Sequence, residues 1–126
     1  MAGIVYDTGA LLAAERRSPR MWALHDAALA RDVVPVVPVV VLAQAWRGGP
    51  QAELSRFLRG CAVEADTAAV GRAAGIACAV AKTADVVDAI VVVIALVRQA
   101  VIITSDPGDL ARIVAALNAS LRLHPV

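Results

Sequence analysis

The apolar positions of the chain fall into short continuous runs, and most runs are followed by a longer segment with helical spacing. The short runs are rich in Val and Ile, a composition that favours β-strands. They predict strands at residues 3–6, 32–37, 62–64, 101–104 and 121–124. The longer segments predict helices from residue 10 onward and over residues 19–31, 38–46, 50–59, 67–81 and 107–117. Strands that alternate with helices indicate a parallel sheet covered on both faces, so we expect a three-layer α/β/α sandwich with four or five strands.

Prolines and glycines mark the expected ends of several elements. Pro35 lacks an amide proton for the sheet, so it confines the second strand to an edge or shortens it. Pro38 suits the first turn of the following helix, and Gly60 suits the end of the helix before the third strand. For residues 85–98 the sequence does not decide between a strand and a helix, because their Val and Ile content favours a strand and their length favours a helix. As a helix, this segment would be apolar on nearly every face and therefore buried.

The composition is that of one globular domain, covering residues 1–126. Hydrophobic residues make up 60% of the chain and charged residues 18%, which is typical of a chain that forms a core and not of a disordered one. The 12 Lys and Arg residues oppose 11 Asp and Glu residues, and the net charge is +1. This balance excludes a strongly basic nucleic-acid coat and an acidic tail, although a local basic patch remains compatible with it.

The sequence predicts neither a membrane segment nor a cysteine-based metal site. The longest apolar stretches are residues 33–43, which two prolines interrupt, and residues 89–97. Both are shorter than the roughly 20 residues that a spanning helix needs. The N-terminal apolar run lacks a basic residue before it and contains Asp7, which argues against a signal peptide. Cys61 and Cys78 form no CxxC pair, so neither a zinc site nor a disulfide framework is indicated, and a reducing cytoplasm is expected.

Four polar side chains interrupt apolar surroundings in four separate elements. Asp7 directly follows the first predicted strand, and Asp106 follows the fourth. Asp88 lies in the run VVDAIVVVIALV, and Gln44 lies in VVVLAQAW. Ligands of an open parallel sheet bind beyond the carboxyl ends of its strands, and a buried carboxylate must be paired, hydrogen-bonded or bound to a metal. These four positions are therefore candidate functional residues.

The same acids also have the spacing of helix N-termini. Asp85 and Asp88 are three residues apart, and so are Asp106 and Asp109. An Asp at the N-cap accepts hydrogen bonds from free amides, and an Asp three residues later complements the helix dipole. Capping and metal binding are compatible interpretations, because a helix cap at the carboxyl end of a strand is also a suitable place for a metal site.

A cluster of these carboxylates would need a cation to stay ionised. Two carboxylates about 4 Å apart repel each other by about 4 kcal/mol at an effective dielectric constant of about 20. Ligand sets made of oxygen alone favour Mg²⁺ or Mn²⁺ over zinc. Such a site supports phosphoryl transfer, in which a metal-activated water attacks in line and the metal neutralises the phosphate oxygens.

At these residues the chain resembles the PIN-domain ribonucleases, and among them the VapC-type toxins of toxin–antitoxin pairs. The resemblance spans nearly the whole chain through the blocks IVYDTGALLA, VVLAQAWRGG, DVVDAIVVVIA and ITSDPGDL. It implies that Asp7, Asp88 and Asp106 are catalytic acids that bind the metal and that Asp109 is an accessory acid. It also implies a PIN-domain fold, a Mg²⁺- or Mn²⁺-dependent endoribonuclease that leaves a 5′-phosphate, a homodimer, and a VapB-like antitoxin that occupies the active-site groove.

Gln44 departs from the family pattern, which has Glu at this position. An amide oxygen is still able to ligate a metal or hold a metal-bound water, but it brings no charge. We therefore expect weaker Mg²⁺ binding, with Asp85 or Asp109 supplying the missing charge. Thr104, next to the fourth strand's acid, is a further accessory candidate that would hold a metal-bound water or cap a helix.

Three arginines are candidates for contacts with RNA phosphates. Arg47 lies at the end of the Gln44 helix, and Arg16 and Arg17 lie near the first acid. Arg47 suits equally well a partner of the helix C-terminus. No aromatic residues that could stack on bases are interleaved with Arg16 and Arg17 in the sequence. These arginines therefore either contact RNA phosphates or belong to a solvated surface.

Two other functions are compatible with parts of the same sequence. A degenerate PIN domain, disabled at Gln44, would bind RNA or a partner without efficient cleavage. A receiver-like phosphoacceptor domain shares the length and the strand-end Asp, but it requires adjacent acids after the first strand, an acceptor Asp after the third, and a late Lys. Lys82 is the only lysine and precedes the fourth strand, so the receiver interpretation fits poorly.

Overall fold

The computed structural model describes residues 3–126, and this part of the chain forms a three-layer α/β/α sandwich. Its sheet consists of five parallel strands, β1 (Ile4–Tyr6), β2 (Val36–Pro38), β3 (Ala62–Glu64), β4 (Val101–Thr104) and β5 (Leu123–Pro125). The helices of this part of the chain are α1 (Thr8–Glu15), α2 (Pro19–Ala30), α3 (Val39–Ala45), α4 (Ala52–Leu58), α5 (Ala68–Ala81), α6 (Val86–Arg98) and α7 (Pro107–Ala116). The predicted parallel α/β sandwich is therefore confirmed.

The helices form the two outer layers. In one layer, α1 packs against α2, α3 and α4. In the other, α5, α6 and α7 pack against one another, and α6 also lies against β1, β2 and β4. The core is mainly aliphatic, as the aromatic content of 3% requires. An aromatic cluster of Tyr6, Trp22, His25 and Phe57 lies in the layer that contains α2 and α4.

Residues 85–98, for which the sequence pattern allowed either a strand or a helix, form the buried helix α6 and its N-cap. Every residue from Ala89 to Ala95 is buried, because the sheet covers one side of α6 while α5 and α7 cover others. The helical conformation costs Val and Ile less than about 0.7 kcal/mol per residue, whereas full burial of such a side chain contributes about 1.5–3 kcal/mol. Burial therefore outweighs the β-propensity of this segment.

Of the three expectations about proline and glycine, only the one for Pro38 needs correction. The second strand begins after Pro35 and is therefore shortened, which confirms one of the two alternatives predicted for this proline; the strand lies between β1 and β3, so the other alternative, an edge position, does not apply. Pro38 ends this strand and precedes the first helical residue, so it does not occupy the first turn of α3. Gly60 directly follows Arg59, the C-cap of α4, which confirms the predicted end of this helix, although its φ is not positive. A Cβ at Gly60 would lie 2.9 Å from His25 Nε2, so this glycine permits a close approach to α2.

The strand order β3-β2-β1-β4-β5 places β1 between β2 and β4. The winding direction of the chain reverses between β1 and β4, and parallel sheets bind ligands in the crevice at such a point, beyond the carboxyl ends of the strands. Helix α1 begins directly beyond β1, and α7 begins beyond β4. Asp7 and Asp106 are therefore brought to the same edge of the sheet.

Two further findings concern the described part of the chain. No helix within residues 3–126 is long and apolar enough to cross a membrane. Cys61 and Cys78 are both free and half-buried, as their spacing predicts. Burial raises the pKa of the Cys61 thiol to about 12, which is consistent with a small residue packed against the core.

Candidate active site

Asp7 is held at the end of β1 by hydrogen bonds from two elements. It is the N-cap of α1, and its Oδ1 accepts a 2.7 Å hydrogen bond from the backbone nitrogen of Thr8. Its Oδ2 accepts a 3.0 Å hydrogen bond from the hydroxyl of Thr104 at the end of β4. Burial raises the pKa of Asp7, the two hydrogen bonds oppose this rise, and the charges of Asp85 and Asp106 add to it. The Asp7 carboxylate is thus buried, oriented and close to other negative charges.

Asp106 lies beyond the neighbouring strand and is joined to Asp7 through Thr104. The backbone nitrogen of Asp106 donates a 3.1 Å hydrogen bond to the Thr104 hydroxyl oxygen. The Asp106 Oδ1 accepts a 3.3 Å hydrogen bond from the backbone nitrogen of Gly108 and caps α7. Because the residue is exposed, its carboxylate is accessible to a ligand.

A second group of acids converges from the N-termini of α6 and α7. Asp85, Asp88 and Asp109 each bring one carboxylate oxygen to within 4.8 Å of the others. Asp85 is the N-cap of α6, and its Oδ1 accepts a 3.1 Å hydrogen bond from the backbone nitrogen of Asp88. Asp109 lies in the first turn of α7. The positive ends of the two helix dipoles favour negative charge at this position.

The pKa of Asp88 shows that these acids act on one another. It is raised to about 7, first because the half-buried carboxyl is desolvated and then because of its hydrogen bond to Asp85 and the charge of that residue. The charges of Asp7 and Asp109 raise it further. A bound cation would relieve the same repulsion that otherwise favours protonation. Since every donor in the cluster is a carboxylate oxygen, the group fits Mg²⁺ or Mn²⁺.

Capping explains part of this arrangement but not all of it. Asp7, Asp85 and Asp106 are all N-caps, as the spacing of the acids allowed. One acceptor is enough for an N-cap, so capping does not require three carboxylates to share one space. Asp88 belongs both to the predicted ligands and to the group within 4.8 Å of one another. Asp7 is connected to this group by charge, since it raises the pKa of Asp88. Asp106 is connected to Asp7 through Thr104, and neither Asp7 nor Asp106 belongs to the group of acids within 4.8 Å of one another among the described residues.

Gln44 is placed near the acids by α3. Its Oε1 accepts a 2.6 Å hydrogen bond from the hydroxyl of Thr8, the residue that follows Asp7. The amide oxygen therefore faces the start of α1, next to the Asp7 cap, and adds no charge to the site. Thr8 was not among the predicted site residues, although its hydroxyl directly follows the Asp at the end of a strand, which is a signal present in the sequence.

The three candidate arginines lie on the surface. The Nη1 of Arg47 donates to two carbonyl oxygens at the end of α3, at 2.7 and 3.1 Å, which confirms its interpretation as a partner of the helix C-terminus. Arg16 ends α1 and is exposed. Arg17 follows with a φ of 62°, and its Nε lies 3.7 Å from Glu53 Oε1. The ion pair of Arg17 is solvent-exposed and therefore contributes little to stability.

Similarity to known proteins lies in the fold and not in the sequence. No family model matches the chain, and no curated protein is similar to it in sequence. Among solved structures, the chain is similar to a chain in the crystal structure of VapBC2 from Rickettsia felis bound to a DNA fragment from their promoter. The TM-score is 0.75 with 16% identical residues, and the alignment covers 98% of each chain. This likeness confirms the predicted fold. Because only 16% of the residues are identical, it establishes nothing beyond the fold.

Proposed function

We propose that this chain is a metal-dependent endoribonuclease that acts as the toxin of a VapBC-type toxin–antitoxin module. The main support is the convergence of Asp85, Asp88 and Asp109 near Asp7, at the edge of the sheet where folds of this kind bind ligands. The fold shared with VapBC2 supports the same class of protein. Three of the four sequence blocks that resemble VapC-type toxins lie on the elements that carry these acids, and the fourth lies on α3, which carries Gln44.

In this proposal Asp7, Asp88 and Asp106 are the catalytic acids that hold Mg²⁺ or Mn²⁺. Asp85 and Asp109 are accessory acids that add negative charge beside Asp88. When bound, the ion would neutralise phosphate oxygens and lower the pKa of an attacking water. The carboxylates themselves supply the oxygen donors, and those of Asp7, Asp85 and Asp106 are held in place by their hydrogen bonds as N-caps.

Thr104 and Gln44 have accessory roles in the same proposal. Thr104 orients the Asp7 carboxylate by donating to Oδ2, and it aligns the start of α7 by accepting from the backbone of Asp106. Gln44 accepts from Thr8 and so connects α3 to the start of α1. A neutral residue at this position leaves fewer charges to attract the cation, and we therefore expect weak metal binding.

The partners in this proposal are an RNA substrate, a VapB-like antitoxin and a second copy of the chain in a cytoplasmic homodimer. Arg47, Arg16 and Arg17 are exposed and would supply positive charge for phosphate contacts. One guanidinium nitrogen of Arg47 is engaged by carbonyl oxygens, so its remaining donors are the ones that would contact RNA.

The neutral Gln44 favours a second candidate, a degenerate PIN domain that binds RNA or a partner without efficient cleavage. In this alternative the acids serve mainly as helix caps, a role that Asp7, Asp85 and Asp106 all fill. The two candidates differ in metal-dependent turnover.

Cleavage of purified total RNA by the isolated chain, across titrations of Mg²⁺ and Mn²⁺, tests the proposal. We expect Asp7→Asn and Asp88→Asn to abolish cleavage while circular dichroism shows a folded chain. Asp32→Asn is the matched control, because Asp32 is exposed outside the site and its φ of 59° is one that Asn readily adopts.

Metal-dependent cleavage that survives Asp32→Asn and disappears in Asp88→Asn would support the nuclease and the role of Asp88. Cleavage retained by a folded Asp88→Asn variant would refute that role. If the folded wild-type chain cuts no RNA at any metal concentration, the degenerate binding module replaces the nuclease as the better explanation.

A further inference from the structure

An apolar groove lies on the sheet, toward the amino ends of β1 and β4 and away from the acids. Its volume is about 370 Å³, and Ile4, Val101 and Ile103 form part of its lining. Ile4 is paired with Val101, and Ile103 is paired with both Tyr6 and His124. Paired residues of parallel strands point to the same face, and residues two apart do so as well. The three apolar side chains therefore form a continuous floor.

One face of α2 forms a wall of this groove. The lining residues from α2 are Leu24, Ala27 and Ala28, and together with Arg31, the C-cap of this helix, they have the spacing of a single helical face. Two of them are alanines, whose small side chains leave space between the helix and the sheet. Met21 and His25, on another side of α2, are buried in the core and hold the helix in place.

The floor is unusual because it belongs to interior strands. Strands of a parallel sheet are normally covered on both faces. In this chain Ile4 and Val101 remain partly exposed although β1 and β4 each have a neighbouring strand on both sides. Apolar area left open at such a place is typical of an interaction site.

The charges around the groove have one sign. Arg31 and Arg122 are among its lining residues, and none of the lining residues within residues 3–126 is acidic. Within residues 3–126, neither Arg31 nor Arg122 takes part in an ion pair; the ion-paired arginines there are Arg17, Arg56, Arg98 and Arg112. The whole chain has a net charge of only +1, so the positive charge at the groove is a local excess. Its electrostatic complement is an acidic ligand.

We propose that the groove docks an acidic amphipathic segment of a partner protein. Apolar side chains of that segment pack on the partly exposed Ile4 and Val101, and its carboxylates pair with Arg31 and Arg122. Small-molecule sites bury about 70–90% of a ligand's surface, whereas this groove is open to solvent, which favours a helix laid into it. In the part of the chain that the structure describes, the groove has no Phe, Tyr or Trp in its lining for base stacking, so RNA fits it less well. The proposal is independent of the nuclease function, because the groove and the acids lie toward opposite ends of the strands.

Fluorescence anisotropy with the full chain tests the docking. The probe is a labelled amphipathic helical peptide of Leu and Glu, and its matched control has Lys in place of every Glu. We expect the Glu peptide to bind and the Lys peptide not to bind. The double variant Arg31→Glu/Arg122→Glu should weaken binding at least about tenfold, since both ion pairs are lost and become repulsive.

Two further variants separate the groove from general surface charge. Ala27→Trp should abolish binding of the Glu peptide by filling the groove, and Ala27 is exposed enough to accept the larger side chain. Arg72→Glu, on the exposed surface of α5 in the other layer, should leave the affinity unchanged. Circular dichroism melting establishes that each variant is folded.

The proposal is wrong if the Glu peptide does not bind, if the Lys peptide binds equally well, or if Ala27→Trp retains full affinity. It is also wrong if sedimentation shows a dimer that Ala27→Trp dissociates, because the groove would then be an interface between two copies of this chain. Binding of a labelled RNA oligonucleotide that Ala27→Trp removes would likewise overturn it.

Discussion

The Thr104 hydroxyl donates a 3.0 Å hydrogen bond to Asp7 Oδ2 across the adjacent ends of β4 and β1. The same hydroxyl oxygen accepts a 3.1 Å hydrogen bond from the backbone nitrogen of Asp106. Thr104 is fully buried, so water has no access to replace either bond. One side chain therefore connects two acids that are far apart in the sequence.

We expect Thr104→Val to lower the free energy of unfolding by about 1–3 kcal/mol, because it removes the partner of a buried carboxylate oxygen without changing the volume of the side chain. The pKa of Asp7 should rise further, since the hydrogen bond from Thr104 opposes its rise. Urea unfolding measures the first effect. Thr104→Ser retains the hydroxyl and is the control, and a Val variant as stable as the Ser variant would contradict the role of this bond.

The Gln44→Glu variant should bind divalent cations more tightly. Its carboxylate still accepts the hydrogen bond from Thr8, so the geometry is preserved while a negative charge is added near Asp7. We expect a lower Mg²⁺ concentration for half-maximal binding, measured by calorimetry, and for half-maximal cleavage if the chain cuts RNA. Gln99→Glu, at the far end of α6, adds the same charge away from the site and should have no such effect. An unchanged or higher concentration for Gln44→Glu would refute the expectation.

Without metal, the chain should lose stability as the pH rises from about 4 to about 7. The pKa of Asp88 is raised from 3.8 to about 7 in the folded chain, so the folded state holds more protons than the unfolded state over this range. Stability falls with rising pH wherever the folded state binds more protons. Melting temperatures in EDTA across this range measure the effect.

Asp88→Asn is the control for this pH dependence, because it removes the titrating group and should flatten the slope. Mg²⁺ should raise the melting temperature of the wild-type chain more above pH 7 than at low pH, where a proton competes for the same carboxylate. An equal slope in the Asn variant would show that other groups are responsible.

Gly9→Ala should destabilise the chain by about 1–3 kcal/mol through a steric clash. A Cβ at Gly9 would lie 2.8 Å from Ser105 Cβ and 3.0 Å from the Ser105 backbone nitrogen, where α1 approaches the end of β4. Gly71→Ala is the matched control, because a Cβ at Gly71 in α5 would meet nothing within 4 Å. It should stabilise the chain by about 0.5–1 kcal/mol. Thermal unfolding of both variants measures the contrast, and equal effects would contradict this account.

Sequence patterns predicted most of the elements because helix and strand periodicity is a local property. The first, third and fourth strands and the helices at residues 19–31, 67–81 and 107–117 agree with the structure to within one residue at each end. The pattern was ambiguous for residues 85–98, since burial on several sides is a property of the tertiary structure. The pattern also predicted that Pro38 belongs to a helix. In the structure Pro38 is the last residue of β2, because this strand pairs with β3.

The candidate acids were also recognisable from the sequence, because Asp7, Asp88 and Asp106 interrupt apolar runs or follow strands. Their partners were not, since Thr104 contacts Asp7 only when β1 and β4 are neighbours in the sheet. The hydrogen bond between Thr8 and Gln44 likewise depends on the packing of α1 against α3.

By itself, the sequence determined the alternation of strands and helices and the positions of acids at strand ends, because both are properties of residues close together in the chain. The parallel sheet follows from that alternation. Only the tertiary structure decided which acids meet. The N-termini of α6 and α7 converge because both helices pack in one layer, and this brings Asp85, Asp88 and Asp109 within 4.8 Å of one another. The open groove beside α2 is also decided by the tertiary structure, because the local sequence pattern does not predict which part of the sheet the helices leave uncovered.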